Sequence, residues 1–158
     1  MTQTPDMTIA DRLAELGLKL PKPAAPIAAY VPAVEAGGLL HISGQLPFRG
    51  GDLMTGRLGE DVDIDFGYEA ARHCGLMLLA QIETALGSLD RVARIVKLGV
   101  FVNSDPRFTD QPKVANGASE LMQQVFGDAG RHARSAVGVP ALPLGAAVEI
   151  DAVVAVKD

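Results

Sequence analysis

The stretch HARSAVGVPALPLGAAVEIDAVVAV, residues 132–156, is the most informative part of this sequence. Its two ends, residues 132–139 and 146–156, are rich in valine and alanine and place polar residues at alternating positions, as β-strands do. The segment PALPLG between them contains two prolines and a glycine, which favour a turn. We therefore predict two C-terminal strands joined by a short connection.

The second of these strands is apolar on both of its faces. One face carries Val148, Ile150, Ala152, Val154 and Val156. The other face carries Ala147, Val153 and Ala155. A sheet with two apolar faces needs a cover on each, yet the chain has only two long helical patterns. A second copy of the chain is the expected cover, so the pattern alone predicts an oligomer.

The remainder of the chain predicts two helices and several more strands. Apolar residues recur every four positions over Asp65–Leu86, and a second helical pattern runs from about Pro112 to Phe126. Strands are predicted at Ile27–Val34, Leu39–Leu46 and Val92–Val102, with an optional short strand near Gly56–Leu58. The order β-β-(β)-α-β-α-β-β predicts an α+β fold with one mixed sheet and two helices on one face.

Local signals add detail to these elements. Residues 35–38, EAGG, predict a hairpin turn between the first two strands. Asp63 or Asp65 can cap the long helix, and Gly87 can end it. The nearly continuous apolar run over Val92–Val102 predicts a strand that is buried on both faces.

The first 25 residues differ in character from the rest. A pattern with helical spacing begins at Met7 and can be capped by Thr8 or Asp6. Three prolines follow it within seven residues and interrupt regular structure. We predict an N-terminal helical extension over residues 1–25, followed by a single domain over residues 26–158.

Composition excludes several functional classes. The chain has 158 residues, 48% of them apolar and 21% charged, with a net charge of −5. An acidic chain is a poor match for nucleic acid, and no apolar run is long enough to cross a membrane. Cys74 is the only cysteine and no histidine has metal-ligand spacing, so we expect neither a disulfide nor a metal. The N-terminus does not resemble a signal peptide, so a cytoplasmic location is expected.

Charged residues interrupt both C-terminal strands. If Val139 pairs with Ala146, then Arg134 lies opposite Asp151, and Glu149 is its diagonal neighbour on the same face. A guanidinium between two carboxylates inside a sheet is costly to desolvate. Two interpretations remain open at this point, a structural ion pair at a subunit interface and a functional site.

Three segments resemble the Rid/YjgF family, whose older names include endoribonuclease L-PSP. The segments are HISGQLP at 41–47, VKLGVFVNSDPRF at 96–108 and ARSAVGVPALPLGAAVEIDAVV at 133–154. They occur in the family's order and together cover roughly residues 26–156. The resemblance implies a chorismate-mutase-like fold and a homotrimer whose sheets form a central barrel, with clefts between subunits. It also implies hydrolysis of 2-imino and 2-enamino acids to 2-keto acids and ammonia, without a metal or an organic cofactor.

The resemblance assigns roles to individual residues. Arg134 matches the arginine that holds the carboxylate of the substrate, and Glu149 matches the glutamate that orients or activates water. Tyr30, Ser43 and Gly44 match residues that line the substrate cleft.

Two further positions belong to the same predicted pocket. Asn116 matches an asparagine that a helix contributes to it. Ala136 stands where well-known active members carry a cysteine.

Three functions compete at this stage. The first is the imine deaminase, in which Arg134 fixes a small carboxylate substrate. The second is a non-catalytic trimer that binds a small carboxylic acid in the same cleft. The third, an endoribonuclease, is disfavoured by the net charge and by the absence of a pair of suitably spaced histidines.

Overall fold

A computed structural model describes residues 7–26 and 28–158. The helices are α1 (Ile9–Glu15), α2 (Ile64–Leu86) and α3 (Gln111–Phe126), and short 3-10 helices cover Leu89–Arg91, Gly127–Gly130 and Pro143–Gly145. The strands are β1 (Ala33–Ala36), β2 (Leu39–Gln45), β3 (Phe48–Arg49), β4 (Asp52–Leu53), β5 (Val92–Asn103), β6 (Ala133–Val139) and β7 (Val148–Val156). No helix in the described ranges is both long and apolar enough to cross a membrane.

The main sheet has five strands in the order β1-β2-β7-β5-β6. All neighbours are antiparallel except β5 and β6, which are parallel. Helix α2 contacts β2 and β7, and α3 contacts β5 and β6. The predicted α+β class with a mixed sheet is confirmed.

The predicted hairpin between the two C-terminal strands is wrong. Strand β5 lies between β6 and β7, so these two strands do not pair. Parallel strands require a long crossover, and α3 supplies it between β5 and β6. Arg134 is aligned with Leu98 of β5, which is itself aligned with Ala152 of β7. The expected pairing of Arg134 with Asp151 therefore does not occur.

Two other strand predictions need correction. The first strand begins at Ala33, not at Ile27, a residue that lies outside the described part. Its hairpin to β2 forms as predicted, with a turn at Gly37 and Gly38, which have φ of 61° and 78°. In place of the optional strand near residues 56–58, the chain forms the hairpin β3–β4, and Leu58 makes only isolated bridges.

Helix ends follow the capping signals. The side chain of Asp63 accepts a hydrogen bond of 2.9 Å from the N–H of Phe66, which identifies it as the cap of α2. Gly87 ends this helix in the left-handed conformation. Thr8 caps α1, whereas the other predicted candidate, Asp6, lies outside the described residues.

Only one face of the sheet is covered within a single chain. Every second residue of β7 from Val148 to Val154 is buried against the helices. The residues between them, such as Val153, point to the other face and are half-buried. Strand β5 shows a similar alternation, so the prediction that it is buried on both faces is wrong for one chain. Val137 is 47% exposed on the face that the helices leave open. None of the described residues covers the apolar surface on that face.

Candidate functional site

Four predicted site residues line one cavity, which we call the Glu149 cleft. Tyr30, Ser43, Gly44 and Glu149 border a space of about 280 Å³. Most of the remaining wall is apolar, and its large members are Pro26, Leu46, Phe48, Pro143 and Leu144. The structure therefore brings these four residues together, with the carboxyl group of Glu149 in mainly apolar surroundings.

A bulge in β2 shapes one side of the Glu149 cleft. The pairing of β2 with β7 slips by one residue between Ile42 and Gln45, which re-aims the intervening backbone. The backbone N–H and the hydroxyl of Ser43 both donate to the carbonyl of Pro32, at 2.9 and 3.1 Å. These two bonds fasten the segment before β1 against the bulge.

Gly44 leaves the space that Glu149 occupies. A Cβ atom at position 44 would lie 2.7 Å from Cδ of Glu149 and 2.8 Å from its Oε2, which is closer than real Cβ contacts. Any other residue at position 44 would therefore displace the carboxyl group. The need for close approach explains why a glycine stands here.

The surroundings of the cleft raise the pKa of its carboxyl group. Burial raises the pKa of Glu149, and the negative charge of Asp151 raises it further. Burial also raises the pKa of Asp151, although the N–H of Gly99 and the charge of Lys97 oppose this. A carboxyl group with a raised pKa exchanges its proton closer to neutral pH, as a group that activates water must do.

Arg134 lies in a second, polar cavity, which we call the Arg134 pocket. Its Nη1 donates to Oδ1 of Asn116 at 2.8 Å and to Oγ of Ser119 at 3.1 Å. Both acceptors lie on α3, one helical turn apart. The cavity measures about 280 Å³ and is lined by Asn116, Ser119, Gln123, Arg131, His132 and Arg134.

The predicted ion pair between Arg134 and the two carboxylates does not exist in one chain. Within the described residues no carboxylate lies within 4 Å of its guanidinium, and its partners are uncharged. The alternation of side chains between the two faces of the sheet explains this. Arg134 is in register with Ala152 on the face that the helices cover, whereas Glu149 and Asp151 lie on the opposite face.

The expectation that Arg134 and Glu149 share a face is therefore wrong. The described residues form two half-sites, one with a cation that has no carboxylate partner among them and one with a half-buried carboxyl group. The side chain of Arg134 is held by the helix that also supplies the predicted Asn116. Ala136 packs against the core and lines neither cavity.

Sequence reasoning did not predict four residues of the Arg134 pocket, and two of these, Ser119 and His132, contact each other. Ser119 lies within 2.8 Å of Nε2 of His132, whose Nδ1 lies 2.6 Å from the carbonyl of Gly130. The sequence contains a signal that could have identified each of them. Ser119 follows Asn116 by three positions, which places it on the same helix face. His132 precedes Arg134 by two positions, which places it on the same strand face.

A cavity larger than either of these contains none of the predicted site residues. It measures about 630 Å³ and lies between residues 19–24, the β3–β4 hairpin and α2. Ala24 and Phe48 border both this cavity and the Glu149 cleft.

The described residues contain no group of three or more histidine, cysteine and carboxylate side chains arranged to hold a metal ion. Cys74 is fully buried, and burial raises its pKa well above the ordinary range, as expected for a packed thiol.

The comparisons with known proteins agree on one family. Residues 10–154 match the family described as "YjgF/chorismate_mutase-like, putative endoribonuclease". Protein TCP17 of Trypanosoma cruzi is 56% identical over 148 residues, which cover 92% of each chain. A crystal structure of a protein of unknown function from Agrobacterium tumefaciens is 47% identical with a TM-score of 0.88, covering 94% of this chain and 92% of that one.

One relative is named as a deaminase. The "2-iminobutanoate/2-iminopropanoate deaminase" of Dermatophagoides farinae is 29% identical over 134 residues, which cover 84% of this chain and 89% of the relative. The relatives with higher identity described above have names that state no activity.

Proposed function

The chain belongs to the YjgF/chorismate_mutase-like family, and we propose that it hydrolyses reactive 2-imino and 2-enamino acids to 2-keto acids and ammonia. Membership confirms the resemblance that the three sequence segments indicated. The name of the Dermatophagoides relative supports the choice of reaction, because it specifies two short 2-imino acids.

The observation that carries this proposal is the state of Arg134. It is a half-buried guanidinium, fixed by neutral acceptors and without a carboxylate partner within the described residues. A buried cation without a counter-ion favours an anionic ligand. The planar fork of a guanidinium matches the two oxygens of a carboxylate, which every 2-imino acid has.

The reaction requires little from the protein beyond positioning. Water attacks C2 of the protonated imine, and the C–O bond forms as the C=N double bond becomes a single bond. A proton then passes from the added oxygen to the nitrogen, and the C–N bond breaks to release ammonia. The hydroxyl group gives up its remaining proton as the C=O bond forms, and ammonia takes up this proton as ammonium. Glu149 accepts the proton of water and returns it to the nitrogen, a role that its raised pKa favours.

The position of the two half-sites supports an oligomeric enzyme. Arg134 and Glu149 lie on opposite faces of one sheet, so one chain cannot present both to a single small substrate. Arg134 is on β6, at the edge of the sheet, where a neighbouring copy can approach. In the proposed homotrimer, the Arg134 pocket of one subunit faces the Glu149 cleft of the next, and the open sheet faces pack into a central barrel.

The lining of the Glu149 cleft suggests the substrate class. Glu149 is its only charged side chain, most of its other large side chains are apolar or aromatic, and its volume is modest. We expect imines with small apolar side chains to be accepted more readily than charged ones.

A coupled assay tests the proposal. An amino-acid oxidase with catalase generates the imine from a panel of amino acids, and imine disappearance is followed with and without the protein. Accelerated loss of the small apolar imines is the expected result. Rates equal to the spontaneous rate for the whole panel would contradict it.

A second function, a trimer that binds a carboxylic acid without turnover, is favoured by one observation. The Arg134 pocket contains all the groups needed to hold a carboxylate, whether or not Glu149 is nearby. Binding of a 2-keto acid by a protein that leaves imine decay unchanged would identify this function.

A further inference from the structure

A chain of hydrogen bonds leads from the backbone to Arg134. Nδ1 of His132 lies 2.6 Å from the carbonyl of Gly130, and its Nε2 lies 2.8 Å from Oγ of Ser119. Nη1 of Arg134 in turn donates to the same Oγ at 3.1 Å. Within the described residues, no other side chain forms hydrogen bonds to both His132 and Arg134.

The direction of each bond follows from chemistry. A carbonyl oxygen only accepts, so Nδ1 of His132 carries the ring proton. In the neutral ring Nε2 is then an acceptor, and the hydroxyl of Ser119 donates its single proton to it. The lone pairs of Oγ are thereby left for Arg134, which can only donate.

The ring of His132 is kept in this neutral form. Burial lowers its pKa, and the positive charge of Arg134 lowers it further, although the bond to Gly130 acts in the opposite direction. At neutral pH the ring therefore remains an acceptor towards Ser119.

The bonds to α3 use one nitrogen of the guanidinium and leave the others available. Nη1 has two hydrogens, and Asn116 and Ser119 accept both. Nη2 has only a long contact of 3.5 Å to the carbonyl of Pro112, and Nε makes no hydrogen bond within the described residues. Nη1 lies on the same side as Cδ, so the free edge is the one where the N–H bonds of Nε and Nη2 run parallel.

We infer that Ser119 and His132 are positioning residues that hold Arg134 so that its Nε–Nη2 edge receives the carboxylate of the ligand. The inference rests on the proposed binding of a carboxylate at Arg134, but not on turnover. Without the hydroxyl of Ser119, one Nη1 hydrogen loses its acceptor and the guanidinium can rotate about its last torsions. The bidentate edge would then no longer be preorganised.

Binding of 2-oxobutanoate, a small 2-keto acid of the proposed product class, tests this directly. Ser119→Ala and His132→Ala should each weaken binding by about tenfold, the equivalent of one hydrogen bond. Ser119→Thr keeps the hydroxyl, and His132→Gln can offer an amide oxygen near the position of Nε2. Both should bind within about threefold of the wild-type protein. Gln124→Ala, on the same helix but outside the pocket, is the matched control and should bind normally.

Two readouts separate positioning from a merely structural role. The Nε–H resonance of Arg134, assigned by its loss in Arg134→Lys, should move downfield when 2-oxobutanoate binds, and this movement should shrink in Ser119→Ala. In steady-state kinetics Ser119→Ala should raise KM by about tenfold and change kcat by less than about threefold.

The possible failures are distinguishable. A folded Ser119→Ala that binds 2-oxobutanoate as tightly as the wild-type protein overturns the inference, as does a Ser119→Thr that binds no better than Ser119→Ala. Absence of 2-oxobutanoate binding by the wild-type protein also overturns it. If the wild-type protein binds 2-oxobutanoate with the expected pattern of variants but accelerates no imine hydrolysis, the proposed function fails while the inference stands.

Discussion

The Glu149 cleft and the Arg134 pocket have opposite environments for their charged groups. In the cleft, a carboxyl group is surrounded mainly by apolar side chains, and burial raises its pKa. In the pocket, a guanidinium is surrounded by neutral hydrogen-bonding groups that fix its orientation. The first environment favours proton exchange, and the second favours binding of an anion.

The separation of the two regions explains why neither charge is neutralised by the other. Had Arg134 and Glu149 met within one chain, an ion pair would have lowered the pKa of Glu149 and occupied the guanidinium. Because they lie on opposite faces of the sheet, they do not pair within one chain, and in the proposed trimer the substrate lies between them. The predictions below test whether the two regions have the distinct roles that this division suggests.

The largest expected effect is on the chemical step at Glu149. Glu149→Gln keeps the shape of the side chain but removes the proton acceptor, so kcat for imine hydrolysis should fall by about 100- to 10,000-fold. Binding of 2-oxobutanoate should change by less than about threefold, because the carboxylate contact lies elsewhere. Asp151→Asn is the matched control, since Asp151 is on the same face but does not line the cleft. Equal loss in both variants would argue against a specific role for Glu149.

The second effect concerns binding at Arg134. Arg134→Lys keeps the charge but loses the planar fork, which should cost about 2–4 kcal/mol of transition-state binding, roughly 30- to 1,000-fold in kcat/KM. Arg131→Lys, in the same pocket, should remain near wild type. The partners of Arg134 are neutral, so Arg134→Ala should lose turnover without dissociating the protein, as light scattering can show. An active lysine variant beside a dissociated alanine variant would assign Arg134 to structure.

The helices could be predicted from the sequence to within about a residue, whereas the strand order could not. Helix α2 has its own periodicity and caps, so the predicted start at Asp65 is one residue from the observed Ile64. Strand order depends on contacts between distant segments. The helix between β5 and β6 indicates that these two strands are parallel neighbours. This signal decides the strand order, although β6 and β7 are closer to each other in sequence.

The error in strand order produced the error in the site. Alternation along a strand fixes which residues share a face within that strand, but the relation between two strands depends on their register. If β6 and β7 formed a direct hairpin, Arg134 would lie opposite Asp151 and on the same face. The intervening strand places it in phase with Ala152 instead, which moves it to the other face. The resemblance to the family brought Asn116 and Arg134 together correctly because it did not depend on register.

The third prediction tests the support beneath the Arg134 pocket. A Cβ atom at Gly117 of α3 would collide with the backbone carbonyl of Tyr68 on α2, and backbone cannot move aside cheaply. Gly117→Ala should therefore lower the free energy of unfolding by about 1–3 kcal/mol. Because Asn116 and Ser119 lie on the same helix, binding of 2-oxobutanoate should weaken as well, while the Glu149 cleft keeps its shape.

Gly75→Ala provides the matched control for Gly117→Ala. It makes the same change in the same pair of helices, but the added Cβ meets Cδ2 of Leu121, the end of a flexible side chain, at 2.8 Å. We expect its effect on the free energy of unfolding, measured in urea, to be clearly smaller. Equal destabilisation by the two substitutions would show that the helix packing near Gly117 has no special rigidity.

The smallest effect is a difference between the two regions in the pH dependence of stability. The folded protein has a lowered pKa at His132, so this residue contributes stability above its unfolded pKa of about 6.5, and that contribution is lost as the pH falls through the folded pKa. Glu149 has a raised pKa and acts in the opposite sense. Its contribution is present below the unfolded pKa of about 4.3 and is lost as the pH rises through the folded pKa.

Urea unfolding from pH 8 to pH 4 in matched variants separates these contributions. The difference between the wild-type protein and His132→Gln should shrink as the pH falls below about 6.5, because the contribution of neutral His132 disappears there. His73, whose pKa is also lowered chiefly by burial, contributes with the same sign, so only the difference between variants is informative. For Glu149→Gln the stability gained relative to the wild-type protein should instead grow as the pH rises, since the substitution removes a carboxylate that is costly to bury. Parallel pH curves for the wild-type protein and both variants would mean that neither group titrates differently in the folded and unfolded states, and the electrostatic contrast between the two regions would be lost.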